Sequence, residues 1–160
     1  GFEVGTDYSR RAGYQIHGSN KMTVSQKWEN GLATFHGMHS RGFPNSFFFG
    51  PAQSGFTATY TYSLDEQSIH LAYILKKAKE KGATRIEASE EAEEKWIKTI
   101  IDKARLTADF QENCTPGYYN NEGKVNQTPQ NNTYGGGPIE FFSLMKKWRS
   151  KDNLEGLELS

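Results

Sequence analysis

Apolar and polar positions alternate in two regimes along this chain. Residues 1 to about 45 are rich in glycine and polar residues, with short alternating pieces such as Lys21-Met22-Thr23-Val24. That pattern predicts short strands and turns. Arg41-Gly42-Phe43-Pro44-Asn45 reads as a turn. Ser46-Phe47-Phe48-Phe49 is a continuous apolar run that stops at Gly50-Pro51. A short run between breakers predicts a buried strand of a parallel sheet.

The next regime is helical. Ser63 with Glu66 three residues later reads as a capping box. Leu64, Leu71, Ile74, Leu75 and Ala78 recur at helical spacing, with Ile69 beside them. Lys76, Lys77, Lys79 and Lys81 suit the negative end of the helix, and Gly82 is a natural stop. Arg85 to Ala88 predicts a short strand. Ser89 caps a second helix with Glu90, Glu91, Glu93 and Glu94 at its positive end. Its stripe is Ala92, Trp96, Ile100 and Ala104, widened by Ile97 and Ile101, and it is expected to end near Leu106. A polar stretch follows over residues 110–137. Gly135-Gly136-Gly137 then leads into a last helix with Pro138 in its first turn. Its stripe is Ile139, Phe142 and Met145, flanked by Phe141 and Trp148, and the tail from Leu154 to Leu159 is expected to be extended.

The unit of strand, glycine-containing loop and helix therefore spans residues 46 to 82. In α/β proteins this unit places a loop and a helix N-terminus at the carboxyl end of a sheet, where ligands bind. Gly50 and Gly55 allow close backbone approach, and free N–H groups suit an electron-rich carbonyl or anionic ring such as the pyrimidine of a reduced flavin. An ordinary strand-to-helix connection is the competing reading of the same residues.

Composition narrows the classes. The chain has 160 residues, 35% of them hydrophobic and 13% aromatic. Low aliphatic and high aromatic content fits a piece of a larger protein or a loop-rich domain. Lysines and arginines balance aspartates and glutamates at 19 each, which disfavours bulk nucleic-acid binding. No apolar run reaches bilayer length, so no membrane partner is expected. The single cysteine, Cys114, forms no internal disulfide and points to a cytoplasmic setting. Three N-glycosylation patterns, at Asn113, Asn126 and Asn131, lie in an asparagine- and threonine-rich stretch where chance matches are expected.

Other candidate chemistry is sparse. His36 and His39, or Glu66 and His70, do not by spacing supply three converging metal ligands, and no metal site is assigned. Cys114 has no neighbouring base to activate it. Gly135-Gly136-Gly137 lacks the lysine and the preceding strand of a phosphate loop.

Several stretches in order resemble the Baeyer–Villiger flavin monooxygenase family: "GFEVGT", "SQKWENG", "GFPNSFFFGPAQSGFTA", "DEQSIHLAYIL", "RIEASEEAEEKWI", "CTPGYYNNEGK" and "GGGPIEFFSLMKKWR". Gly1 looks like the end of that family's alanine-threonine-glycine signature. The resemblance covers nearly the whole chain and implies the C-terminal portion of a partial FAD/NAD(P)-binding Rossmann-like α/β fold. It implies residues 1–45 as a return segment from the NADPH domain. Residues 46–109 would be the C-terminal part of the FAD domain, and residues 110–160 a region closing over the site. It implies FAD and NADPH as cofactors, with a small ketone and O2 as reactants and the rest of a parent chain as partner. Gly50, Pro51, Ala52 and Gln53 would lie along the flavin, and Tyr118, Tyr119, Asn120, Asn121 and Lys124 in the loop that closes over the nicotinamide cofactor. Ser54, Gly55, Phe56 and Thr57 would line the ketone pocket.

No GxGxxG fingerprint occurs in the chain, nor does the family's histidine-containing fingerprint or its arginine beside the oxygenated flavin. No catalytic residue is therefore assigned, and the chain alone is expected neither to hold flavin tightly nor to turn over substrate. A nitrogen- or sulfur-oxidising flavin monooxygenase and a non-enzymatic, aromatic-rich binding domain for carbohydrate or peptide are the alternatives. A cut piece is expected to show an incomplete sheet and an exposed apolar face at Phe47, Phe49 and the Leu71 stripe.

Overall fold

The computed structural model describes residues 12–113 and 129–160, with side chains over 12–104 and 129–160. Tyr118, Tyr119, Asn120, Asn121, Lys124 and Cys114 lie outside the described residues. In chain order the elements are α1 (Val24–Lys27), α2 (Tyr60–Glu80), β1 (Ile86–Ala88), α3 (Glu90–Asn113), α4 (Gly137–Ser150) and β2 (Leu157–Leu159). Single 3-10 turns occur at Ser19–Lys21 and Pro129–Asn131.

Helices carry most of the architecture. β1 and β2 pair antiparallel, with Ile86 opposite Leu159 and Ala88 opposite Leu157. The extended tail expected from Leu154 to Leu159 thus supplies β2. Ser89 caps α3 as expected, its Oγ accepting from Ala92 N at 3.2 Å. α3 runs past the predicted stop at Leu106 to Asn113. No glycine or proline interrupts residues 107–113, so nothing in the chain breaks the ladder there.

Three expected elements differ. The Lys21–Val24 piece is not a strand. Thr23 Oγ1 accepts from Gln26 N while Gln26 Oε1 accepts from Thr23 N, a reciprocal cap that starts α1. Ser46–Phe49 joins no ladder among the described residues. Its Phe48 N–H donates to Met38 O at 2.9 Å; Phe48 is buried and Phe49 is 38% exposed. The predicted cap at Ser63 is displaced as well. α2 begins at Tyr60, and Ser63 sits one turn inside it.

The buried face of α2 is also rotated from the predicted one. Ser63, Gln67, His70, Ile74 and Ala78 point inward, whereas Ile69 and Leu75 are 46% and 44% exposed. The helix turns a partly polar stripe to the core. That is stable because each buried polar group finds a partner, as described below.

The main core gathers Ile74 and Ala78 from α2, Ile86 and Ala88 from β1, Trp96 and Ile100 from α3, and Phe141, Met145 and Trp148 from α4. Ile74 and Ile100 are fully buried, each contributing about 1.5–3 kcal/mol of transfer free energy. In α4 the inward residues are Phe141, Phe142, Met145 and Trp148, while Ile139, expected in the stripe, is 84% exposed. A second cluster of Val24, Trp28, Leu32, Ala33, Phe43 and Phe48 packs the N-terminal segment, with Ile97 of α3 against it. Large apolar side chains stay exposed at Phe49, Phe56, Ile69, Leu75 and Ile139. Phe47 is instead partly buried against the main core. None of the helices among the described residues is long and apolar enough to cross a membrane.

Candidate functional site

The segment from Gly50 to Thr57 is a loop held from beneath. Gln53 lies at its centre with φ 55°, a left-handed conformation uncommon for a residue with a side chain. Every polar atom of that side chain is engaged. Oε1 accepts from Thr34 Oγ1 at 2.5 Å, and Nε2 donates to the carbonyls of Leu32 at 2.8 Å and Gln130 at 2.9 Å. Its backbone N donates to Asn132 O at 2.8 Å, and its carbonyl accepts from Trp96 Nε1 at 3.2 Å. Three separate segments, 32–34, 130–132 and α3 at Trp96, are thereby tied to one residue, and this network keeps it in its strained backbone state.

α2 grips both ends of the loop. Gln67 Nε2 donates to Gly50 O at 2.8 Å and to Ser54 Oγ at 3.0 Å, and Gln67 Oε1 accepts from Gly50 N at 3.4 Å. Ser54 Oγ in turn donates to Gly50 O at 2.6 Å. At the other end Ser63 Oγ accepts from Thr57 N at 3.2 Å.

Two glycines explain the close packing. A Cβ on Gly37, at φ +70°, would stand 2.9 Å from the carbonyl oxygens of Ala52 and Gln53, so the tight 35–39 turn presses directly under the loop. A Cβ on Gly55 would stand 2.8 Å from the ring of Phe141. The absence of a side chain at Gly55 thus makes room for Phe141.

The expected ligand-facing residues therefore separate into two sets. Gln53 and Ser54 are fully buried, with inward hydrogen bonds, and present no atom to a ligand. Gly55 is buried too. Gly50, Ala52 and Thr57 are half-buried, and Pro51 and Phe56 are exposed. No acceptor among the described residues takes the N–H of Ala52 or Phe56. Backbone N–H groups without an acceptor on a fixed loop are the donors that an electron-rich flavin carbonyl requires, and those of Ala52 and Phe56 fit that group.

Beyond Thr57 the surface is aromatic. Phe56 and Tyr60 lie with ring centroids 5.9 Å apart, and Tyr62 meets Phe142 edge-on at 5.5 Å. A cleft of about 220 Å³ opens there, bounded by Thr57, Tyr62, Glu66, Ile139, Phe142 and Lys146.

Under the loop lies a histidine group. His36 Nδ1 and His70 Nε2 are 3.4 Å apart, and Arg149 approaches the other nitrogen of His70 at 3.4 Å. His36 stacks on Phe35 and meets Trp96 and Trp148 edge-on. Burial lowers the pKa of all three histidines: His36 well below its usual range, His39 to about 4 and His70 to about 3. They are neutral core residues at physiological pH. Among the described residues His39 Nε2 has no hydrogen-bond partner. Among the described residues no three His, Cys, Asp or Glu side chains are grouped to hold a metal.

Sequence reasoning missed Thr34, Ser63, Gln67, Trp96 and Gln130 as supports of the loop. A signal existed in α2 alone, where Ser63, Gln67 and His70 recur at helical spacing as a polar stripe.

The fold is shared with solved monooxygenases. The polycyclic ketone monooxygenase of the thermophilic fungus Thermothelomyces thermophila matches 96% of this chain with a TM-score of 0.88 and 31% identity, over 25% of its own length. A cyclohexanone monooxygenase from Rhodococcus bound to NADP+ matches 99% of the chain at a TM-score of 0.75; at 21% identity this likeness concerns the fold. In sequence and fold the chain thus matches a segment of the Baeyer–Villiger monooxygenase family.

Among its relatives, neopentalenolactone D synthase of Streptomyces avermitilis is 44% identical over 158 residues, 98% of this chain. A Baeyer–Villiger monooxygenase of Stachybotrys chlorohalonatus is 34% identical over 161 residues. The chain spans about 27% of the length of the first of these and 26% of the second. No protein-family model matches it.

Proposed function

We propose that this chain is the C-terminal part of an FAD- and NADPH-dependent monooxygenase that inserts one oxygen atom of O2 into a ketone, giving an ester or lactone. The observation that carries the reading is the 44% identity to neopentalenolactone D synthase across 98% of the chain, joined to the fold of a ketone monooxygenase.

Bound flavin would supply the oxygen-transfer chemistry. This segment's part is to shape and dry one wall of the site. Gly50, Pro51 and Ala52 would meet the flavin through backbone, and Phe56 and Thr57 would border the ketone. Tyr118, Tyr119, Asn120, Asn121 and Lys124 are proposed to close over the nicotinamide cofactor. Residues 1–45, 46–109 and 110–160 would serve as the return segment, the end of the FAD domain and the closing region. The reducing cytoplasm is the proposed setting.

The test uses the full protein that contains this segment, supplied with NADPH, O2 and a panel of cyclic and polycyclic ketones. Mass spectrometry should find product 16 mass units heavier than the ketone, with one NADPH oxidised per product formed. Absence of bound flavin, or sulfoxide and N-oxide formation with no ester from any ketone, overturns the reading.

A further inference from the structure

We infer that Gln67, seconded by Ser63, is the positioning residue that sets the Gly50–Thr57 loop at the distance from flavin and ketone at which the reaction runs. The inference rests on the flavin-facing reading above and adds the residues that control it.

Gly50 marks the point where the Ser46–Phe49 segment turns into the loop. A backbone N–H and C=O in such a place ordinarily pair with a neighbouring strand. Here the partner is one side chain. The Gln67 amide donates to Gly50 O and accepts from Gly50 N, imitating a peptide group of an adjacent strand. Its second N–H takes Ser54 Oγ, four residues further along. One turn earlier on the same helix, Ser63 holds the N–H of Thr57. A single rigid helix therefore fixes the entry, middle and exit of the loop.

These contacts are dry. Gln67 is 4% exposed and Ser63 1%. Water does not readily replace them, so their loss moves the loop. The N–H groups of Ala52 and Phe56 and the side chain of Thr57 all depend on where the loop sits. Misplacement of reacting groups by about 1 Å can cost on the order of 100-fold in rate. Gln67 touches neither flavin nor ketone in this reading. It acts through Gly50.

Two variants of the full flavin-loaded protein separate positioning from mere stability. Gln67→Met keeps length and volume and removes all three hydrogen bonds. Expected are a 10- to 100-fold fall in kcat/KM, a shifted visible absorption band of the bound flavin, and faster amide exchange over residues 50–57 with unchanged exchange in α4. Gln67→Glu supplies a donor for Gly50 O only while its carboxyl is protonated. Its deficit relative to the unsubstituted protein should therefore be at least about fivefold at about pH 8.5, where the carboxyl is ionised, and should not grow as the pH is lowered.

If Gln67→Met does not fold, the pH profile of Gln67→Glu decides alone. A folded Gln67→Met with kcat/KM within twofold and an unshifted flavin band overturns the inference, as does a Gln67→Glu deficit within about twofold at every pH from about 6 to 8.5. Absence of flavin or of ketone oxidation in the unsubstituted protein strikes instead at the function, and removes this inference with it.

Discussion

Trp96 on α3 donates its indole N–H to the carbonyl of Gln53 at 3.2 Å, while its ring stacks on Tyr134 at 5.7 Å with the planes 10° apart. One side chain therefore joins the loop, the third helix and the segment ahead of α4. Trp96→Phe keeps a ring but leaves the Gln53 carbonyl buried and without this donor. The expected loss is about 1–3 kcal/mol, read as a lower urea midpoint. Trp96→Ala should cost more, about 3–5 kcal/mol.

Acid should weaken the fold before any carboxylate cluster titrates. Unfolded imidazoles take up protons below 6.5, whereas folded His39 waits until about 4 and His70 until about 3. Between those values the unfolded chain binds more protons, so stability falls as pH is lowered. His39 alone accounts for about 3 kcal/mol across the window. Glu93, whose pKa burial raises, opposes this at the acid end. Denaturation series between about pH 7 and 5 isolate the histidine effect. His39→Gln should flatten the curve, and an unchanged slope would refute the assignment.

Glu93 is a buried anion with three attachments. It accepts from Lys27 Nζ at 2.7 Å, Arg41 N at 2.7 Å and Ser40 Oγ at 3.3 Å. Glu93→Ala leaves the Arg41 N–H and the Lys27 ammonium without this acceptor, at a cost of about 2–4 kcal/mol. Thermal melting checks it. A change below about 0.5 kcal/mol would mean that the N-terminal segment is not held through α3.

Gly55→Ala drives a methyl group into the Phe141 ring, with Cβ contacts of 2.8 and 3.1 Å. Either Phe141 leaves its buried position or the loop moves outward. About 1–3 kcal/mol of overpacking is expected. Gly55→Ala paired with Phe141→Leu should recover part of it, since the two share one space. Full additivity of the two losses would show that they do not meet.

Much of the scaffold was legible in the chain. Ser89 as cap, Trp96, Ile100 and Ala104 as the buried stripe, and Pro138 in a first turn follow local rules, and the structure keeps them. The rotated face of α2 did not follow. Hydrophobicity pointed to Leu64, Leu71, Ile74, Leu75 and Ala78, of which Ile74 and Ala78 are buried; satisfied hydrogen bonds let Ser63, Gln67 and His70 take the rest of the inward face. The Ser46–Phe49 run fails as a strand here because a strand exists only with a neighbour to pair with. Gln53 shows the same limit at the site. Its partners, Thr34, Gln130 and Trp96, lie 19, 77 and 43 residues away, and no local pattern reveals them.

The pairing of β1 with β2 sets an order on synthesis. Ile86, Glu87 and Ala88 meet Leu159, Glu158 and Leu157, roughly 70 residues downstream. At about 5–20 residues per second, a ribosome needs several seconds to bring out the second strand. During that interval the backbone groups of β1 lack these partners, and Ile86 lacks the late-arriving Trp148 and Leu154 of its core. The nascent chain therefore carries an unpaired strand from the moment residues 86–88 emerge until residues 157–159 follow, and a chaperone that covers β1 acts in that interval.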